Sequence, residues 1–294
     1  LPNKDAIAML ERAVGLDSTY APAWDALGVR YHYDSAYSDG GAAAFQRALA
    51  AFSRALTLDP NYISPAGELM LMQVERGETV KADQSGKALL ARHPENANVH
   101  FALSYVLRYG GALEESAHEC DTALLMDPGS YGFRSCAFTF DQLGNYGRAV
   151  EFLQLDAGSQ WSLDNLMRHQ IRDGKLAQAK ETAQKLNNQA MLGCLADPSA
   201  SNTVSLVHGR ATAVMADPDP EVRYVVAGDV LFCGQNDLAL RMLKSSVDNH
   251  FCAYTGLQND SVWTKLRGTS EFAELLAAAK KCRDDFMAER DRVQ

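Results

Sequence analysis

The chain has 294 residues, of which 47% are hydrophobic and 22% charged, the composition of a protein that folds throughout. Its formal net charge of −9 argues against nucleic acid as a partner, because phosphate-backbone affinity draws on clustered Lys and Arg. There is no run of eighteen or more apolar residues and no charged n-region leading into an apolar h-region, so no membrane contact by this stretch is expected.

The first residues carry Ala6, Leu10 and Ala13 at helical spacing before Asp17. They read as the second helix of a two-helix unit whose first helix is missing. Since the chain also begins at Leu1, a segment of a longer protein is expected. A complete unit follows, with helices over about Pro22 to Asp34 and Ala43 to Leu58, and eight extra residues from Ser35 to Ala42 form a projecting Gly-rich turn. Pro60, Pro94 and Pro128 then recur at 34-residue intervals, and a fixed period of that length marks a solenoid of stacked helical pairs. The second unit has Gly77 at its turn and Gly86 inside its second helix, where a missing side chain lets two backbones approach. The third has Leu103, Ser104 and Leu107, then Gly111, then Ser116, Cys120 and Ala123, small residues where helices pack closely. Shorter units follow at 130–157 and 160–188, a degenerate pair at 190–216, and a clearer unit at 220–248. The boundaries of the earlier units are 20–62, 63–96 and 97–129. The final stretch, 249–294, reads as a helical cap that covers the last apolar face and turns charged residues such as Lys280, Lys281, Arg283, Asp284 and Asp285 to water.

Trp24, Leu27, Gly28, Tyr31, Ala48, Phe52, Ala55 and Pro60 reproduce the W-x2-L-G-x2-Y…A-x3-F…P signature, and the chain on this basis resembles the tetratricopeptide repeat (TPR) family. The resemblance implies an all-α fold, a right-handed superhelical solenoid of about six to seven TPR-like hairpins with a C-terminal cap. A second resemblance is carried by the tail from Asp248 to Leu276 and by the run from Tyr31 to Gly41. It looks like the C-terminal TPR region of bacterial serine/threonine kinases, adenylate cyclases and related signalling proteins, and would place an effector domain before Leu1.

No Walker, H-E-x-x-H, G-x-S-x-G, EF-hand or kinase signature occurs, so no enzymatic activity, no cofactor and no metal are expected. Cys120, Cys136, Cys194, Cys233, Cys252 and Cys282 lack metal-ligand spacing and read as free thiols in a reducing compartment. The histidines, among them His32, His100 and His169, read as surface or groove residues. Glu114 and Glu115, as neighbours on a helix, read as a solvated face.

In the TPR family the first helix of each pair lines a concave groove. The resemblance then assigns groove positions to Phe101, Tyr105, Arg108 and Tyr109, to Arg134, Phe138 and Gln142, to Trp161, Asn165, Arg168 and Arg172, and to Tyr224. Arginines among aromatics are the residue types of binding hot spots, so Arg108, Arg134 and Arg168 are expected to pair with carboxylates or a phosphate of a bound peptide. The family's carboxylate-clamp pattern for chaperone termini is not matched, since Asp25, Val29 and Glu68 stand at its first positions. The function expected is therefore a non-catalytic scaffold module for an extended protein or peptide partner, cytoplasmic or in the extracytoplasmic part of a membrane-anchored signalling protein. The alternatives are a homodimerisation module and a small-molecule sensor with a pocket near Arg134 and Trp161.

Overall fold

A computed structural model of the protein describes residues 2–292. All of the regular structure among them is helical. After α1 (Asn3–Leu16), antiparallel pairs follow one another: α2 (Ala21–Tyr37) with α3 (Gly41–Leu58), α4 (Ile63–Glu75) with α5 (Thr79–Arg92), and α6 (Ala97–Gly110) with α7 (Leu113–Met126). In the fourth pair the first helix opens as a 3₁₀ turn (Tyr131–Cys136) and continues as α8 (Ala137–Gln142) against α9 (Tyr146–Gln154). Next come α10 (Gln160–Arg172) with α11 (Leu176–Lys185), α12 (Gln189–Ala196) with α13 (Ser201–Met215), and α14 (Pro220–Phe232) with α15 (Asn236–Asp248). The chain ends with α16 (Tyr254–Asn259), a 3₁₀ turn (Ser261–Lys265) and the long α17 (Ser270–Arg292).

The pairs form where the local sequence stops a helix and small residues let the next one pack. Gly77, Gly111, Gly144, Gly174 and Gly234 each hold a left-handed φ of 72–79° at the turn inside a pair, a conformation that costs glycine nothing and ends the preceding helix. In the third pair, Ser104, Ser116 and Ala123 are fully buried, and the Ser116 hydroxyl donates to the Ser104 carbonyl at 2.7 Å and lies 2.9 Å from the Thr139 hydroxyl. Gly86 faces Met70 and Leu103 so closely that a Cβ there would stand 2.7 Å from the Met70 methyl.

Three expectations are corrected. The eight extra residues of the first pair do not project as a loop. They lengthen both helices, to 17 and 18 residues, and leave Ser38 to Gly40 as the turn. The six cysteines are not free thiols: Cys120–Cys136, Cys194–Cys233 and Cys252–Cys282 are disulfides, each joining neighbouring parts of the array. Nor is the C-terminal stretch only an end cap. α17 packs on α15 as a cap does, then continues to α5 and α6, where Phe286 is 4% exposed. Arg290 donates to both Glu115 oxygens at 3.0 and 2.8 Å and to Asp83 at 3.1 Å, so Glu115 lies on the solvated face as expected and also anchors α17, and this pairing holds its carboxyl below the usual range. Just before α16, the Cys252 amide donates to the Tyr109 carbonyl at 2.8 Å. The array thus closes on itself, its last elements docking on the edge formed by the turns of the second and third pairs.

That closure depends on Gly110. A Cβ there would lie 2.2 Å from the Phe286 ring. Gly110→Val is therefore expected to cost about 1–3 kcal/mol by overpacking. It should also raise amide hydrogen exchange selectively in α17, whereas exchange unchanged along α17 would mean that the contact does not hold the closure.

Candidate binding groove

The residues assigned to the groove do converge on the inside of the superhelix, but the chain uses most of them itself. Arg108 is fully buried. Its Nε and Nη2 donate to the two Glu221 oxygens at 2.7 and 2.9 Å, and its Nη1 donates to the Ser135 carbonyl at 3.1 Å. Arg168 makes the same two-pronged contact with Asp229, at 3.0 and 2.8 Å, and Arg172 with Asp260, at 3.1 and 2.7 Å. Burial disfavours the charge on each guanidinium, but the facing carboxylates outweigh it and raise all three above the ordinary arginine value. Carboxylates do meet these arginines, as their geometry demands. They come from α14 and the turn after α16, not from a partner, because the superhelix brings its seventh pair opposite its third.

Around Arg108 the closure is complete. The Tyr105 and Tyr109 rings stack with centroids 4.9 Å apart, the Arg108 guanidinium sits 4.5 Å from the Tyr105 ring, and Phe251 meets Tyr109 edge-on. The Tyr109 hydroxyl donates to Asp219 at 2.6 Å and the Tyr105 hydroxyl to Glu75 at 3.2 Å. Burial, then the neighbouring Glu75 and Glu221, push the Asp219 carboxyl well up. Tyr105, Arg108, Tyr109 and Asn165 are buried, so the expectation that they meet a partner directly is corrected: the chain's own C-terminal half covers them. Glu221 was readable all the same. Counted from Pro220, it is the second residue of its helix and Tyr224 the fifth, both positions that line the groove in the repeat family.

A different part of the concave face stays open. Phe101, Arg134, Phe138 and Trp161 are half-buried and Tyr131 is exposed. The Arg134 guanidinium lies between two rings, 5.1 Å from Trp161 and 5.7 Å from Tyr131, and its Nε is 3.3 Å from Asp156. Phe138 packs on Trp161 at 5.3 Å. This aromatic strip with one arginine is carried by the fourth and fifth pairs, where the 3₁₀ opening and the short helices leave the side chains uncovered.

His32, His100 and His169 each face a carboxylate inside the fold. His100 and His169 are 8% and 4% exposed and face Glu119 and Asp141, a correction to their placement on the surface. His32 lies between Glu68 and Glu75. Burial lowers its pKa, but hydrogen bonds to the two carboxylates outweigh this and raise it to about 10.

The architecture is that of a TPR-type solenoid closed on itself. No protein-family model and no curated protein matches the chain. Solved structures do. A chain in the crystal structure of the APC/C hetero-tetramer Cut9-Hcn1 aligns over 98% of this chain and 58% of its own length, at 16% identity and a TM-score of 0.59. MamA from Desulfovibrio magneticus RS-1 covers 52% of this chain and 82% of its own, at 16% identity and a TM-score of 0.37. MamA of MSR-1 covers 52% and 87%, at 23% identity and a TM-score of 0.36. At these identities the first likeness shows an all-α solenoid fold and nothing finer, and the MamA alignments, which cover only half of the chain, add nothing to it.

Proposed function

We propose that the protein is a non-catalytic interaction module that binds a protein or peptide partner on the strip formed by Tyr131, Arg134, Phe138 and Trp161. The observation behind this reading is that these aromatics and this arginine lie together, uncovered, on the concave face, while the rest of that face is used internally. Tryptophan, tyrosine and arginine are the side chains that carry most interface energy. Arg134 shares its charge with Asp156 in a half-buried pair, so an incoming acidic group can exchange with that carboxylate.

The finer setting is a proposal as well. The sequence from Asp248 to Leu276 supports a place within a larger bacterial signalling protein, although Phe251, Leu257, Trp263 and Leu266 within it are core residues here. Three disulfides support an oxidising compartment, and so the extracytoplasmic alternative over the cytoplasmic one.

The test is affinity capture from the native host with the wild-type protein, with Trp161→Ala combined with Arg134→Glu, and with Lys244→Glu, an exposed residue of α15 outside the strip, as a control. A partner retained by wild type and the control should fall at least about tenfold with the double variant, as truncation of a hot spot does. Equal recovery by all three would overturn the assignment.

A further inference from the structure

A row of oxygen-bearing side chains crosses the seam at which the solenoid closes. Glu75 at the end of α4, Tyr105 and Tyr109 on α6, and Asp219 just before α14 follow one another with oxygen separations of 3.2, 2.9 and 2.6 Å. The two shorter separations lie within the usual range of O–H···O hydrogen bonds and the third just beyond it. Glu75, Tyr105 and Tyr109 are buried. Asp219 is half-buried, and its Oδ1 also accepts from the Glu221 amide at 2.8 Å.

Three contacts between oxygens need three hydrogens. The two phenols supply only two, since each hydroxyl carries a single donor and an ionised carboxylate carries none. With both carboxylates ionised, Tyr109 donates to Asp219 and Tyr105 to Glu75, and the two phenol oxygens then face each other at 2.9 Å with no hydrogen between them. Turning the Tyr105 hydroxyl towards Tyr109 only moves the gap to Glu75. A carboxyl that keeps its proton closes it, and the surroundings favour Asp219. His32 stands 3.8 Å from Glu75 and titrates at about 10, so at neutral pH it is a cation that favours negative charge at that end of the row. Asp219 faces Glu75 and Glu221, and Glu221 already occupies Arg108. The other titratable groups nearby are Glu68, which faces His32, Asp217, whose carbonyl accepts from Arg223, and the exposed His250, which packs on Gly77.

We infer that the row from Glu75 to Asp219 holds one carboxylic proton at neutral pH, and that this proton latches the second and third helical pairs to the seventh. With the proton in place, Asp219 donates to Tyr109, Tyr109 to Tyr105 and Tyr105 to Glu75, and every contact is a hydrogen bond. When it leaves to water through the half-exposed Asp219, one contact loses its hydrogen and a second negative charge remains in the seam. A carboxyl raised by folding contributes stability that is fully present below its unfolded value, about 3.9 for Asp, and is lost as pH rises through the folded value. The latch therefore tightens in acid and loosens in alkali.

Infrared difference spectroscopy on the intact protein reads a protonated carboxyl directly. Wild type minus Asp219→Asn should show one carboxylic acid at neutral pH. Asparagine returns the missing hydrogen through its Nδ2 and does not titrate, so this variant stays latched at every pH. Tyr105→Phe breaks the row and leaves one contact with one hydroxyl to serve it. The acid should be lost there too, whereas a carboxyl kept neutral by burial alone would retain it. As pH is raised towards about 10, where phenols themselves ionise, the wild-type acid should disappear. Over the same interval the amides of α14 should come to exchange at least about tenfold faster than in Asp219→Asn, the factor that corresponds to one pKa unit. Comparing the two proteins at each pH cancels the intrinsic pH dependence of exchange. The inference is overturned if no such acid is present at neutral pH, if Tyr105→Phe retains it, if it persists to about pH 10, or if α14 exchange does not follow its loss. Should Tyr105→Phe fail to fold, Asp219→Asn and the pH series decide the matter alone.

Discussion

Reducing the three disulfides is expected to lower the stability of the protein by roughly 3–4 kcal/mol per bond, on the chain-entropy scale for loops of this size. The bridged cysteines are 16, 39 and 30 residues apart in sequence. The sum is on the order of 10 kcal/mol, comparable with the whole folding free energy of an ordinary domain, about 5–15 kcal/mol. Urea unfolding with and without a phosphine reductant measures it, and a thiol count on the denatured, unreduced protein checks the premise. The reduced protein should unfold at markedly lower urea, and the unreduced one should show no thiols. Cys252→Ser with Cys282→Ser should release α17 selectively, because that bridge ties it to the segment docked on Tyr109. Six reactive thiols, or coincident unfolding curves, would refute the pairing.

Replacing Arg108 with Met is expected to cost about 3–5 kcal/mol, the usual penalty for leaving one member of a buried ion pair uncompensated. Glu221 would be left buried with its carboxylate facing apolar rings, and the Ser135 carbonyl would lose its donor. Glu221→Leu alone should cost a similar amount by stranding the guanidinium. The double variant, Arg108→Met with Glu221→Leu, should recover much of the loss, because well-packed apolar side chains often replace a buried pair at little cost. A double-mutant cycle read by urea unfolding gives the coupling directly. If either single variant costs under about 1 kcal/mol, Arg108 is not the closing contact between the third and seventh pairs that its geometry implies.

These two predictions concern features that differ in how far they can be read from a sequence. The resemblance to the repeat family, carried along the 34-residue phase, places Arg108 on the concave face, and its need for a carboxylate follows from guanidinium chemistry. What could not be read was whose carboxylate it meets. The cysteines gave less still: Cys120 and Cys136 stand at repeat positions filled by small or apolar packing residues, and free thiols and half-cystines fit such positions equally well. The extra residues after Asp34 could equally be a loop or two longer helices, and helix-forming Ala42 to Ala44 with Phe45 and Ala48 packed inside decided for the helices.

The all-α solenoid, the placing of the regular helical pairs, the glycines that end their first helices and the inward face of each were determined by the sequence alone. They rest on periodicity within about 34 residues and on contacts between neighbours, and a repeat array is built from little else. The tertiary structure alone decided the docking of α17 on the second and third pairs, the three disulfides, the internal carboxylates that occupy Arg108, Arg168 and Arg172, and the row from Glu75 to Asp219. The docking, the carboxylates and the row depend on the rotation summed over several pairs, whereas the disulfides join neighbouring parts whose exact approach only the packed structure fixes. A small rotation at each step is invisible in any one repeat, yet after seven it determines which surfaces meet.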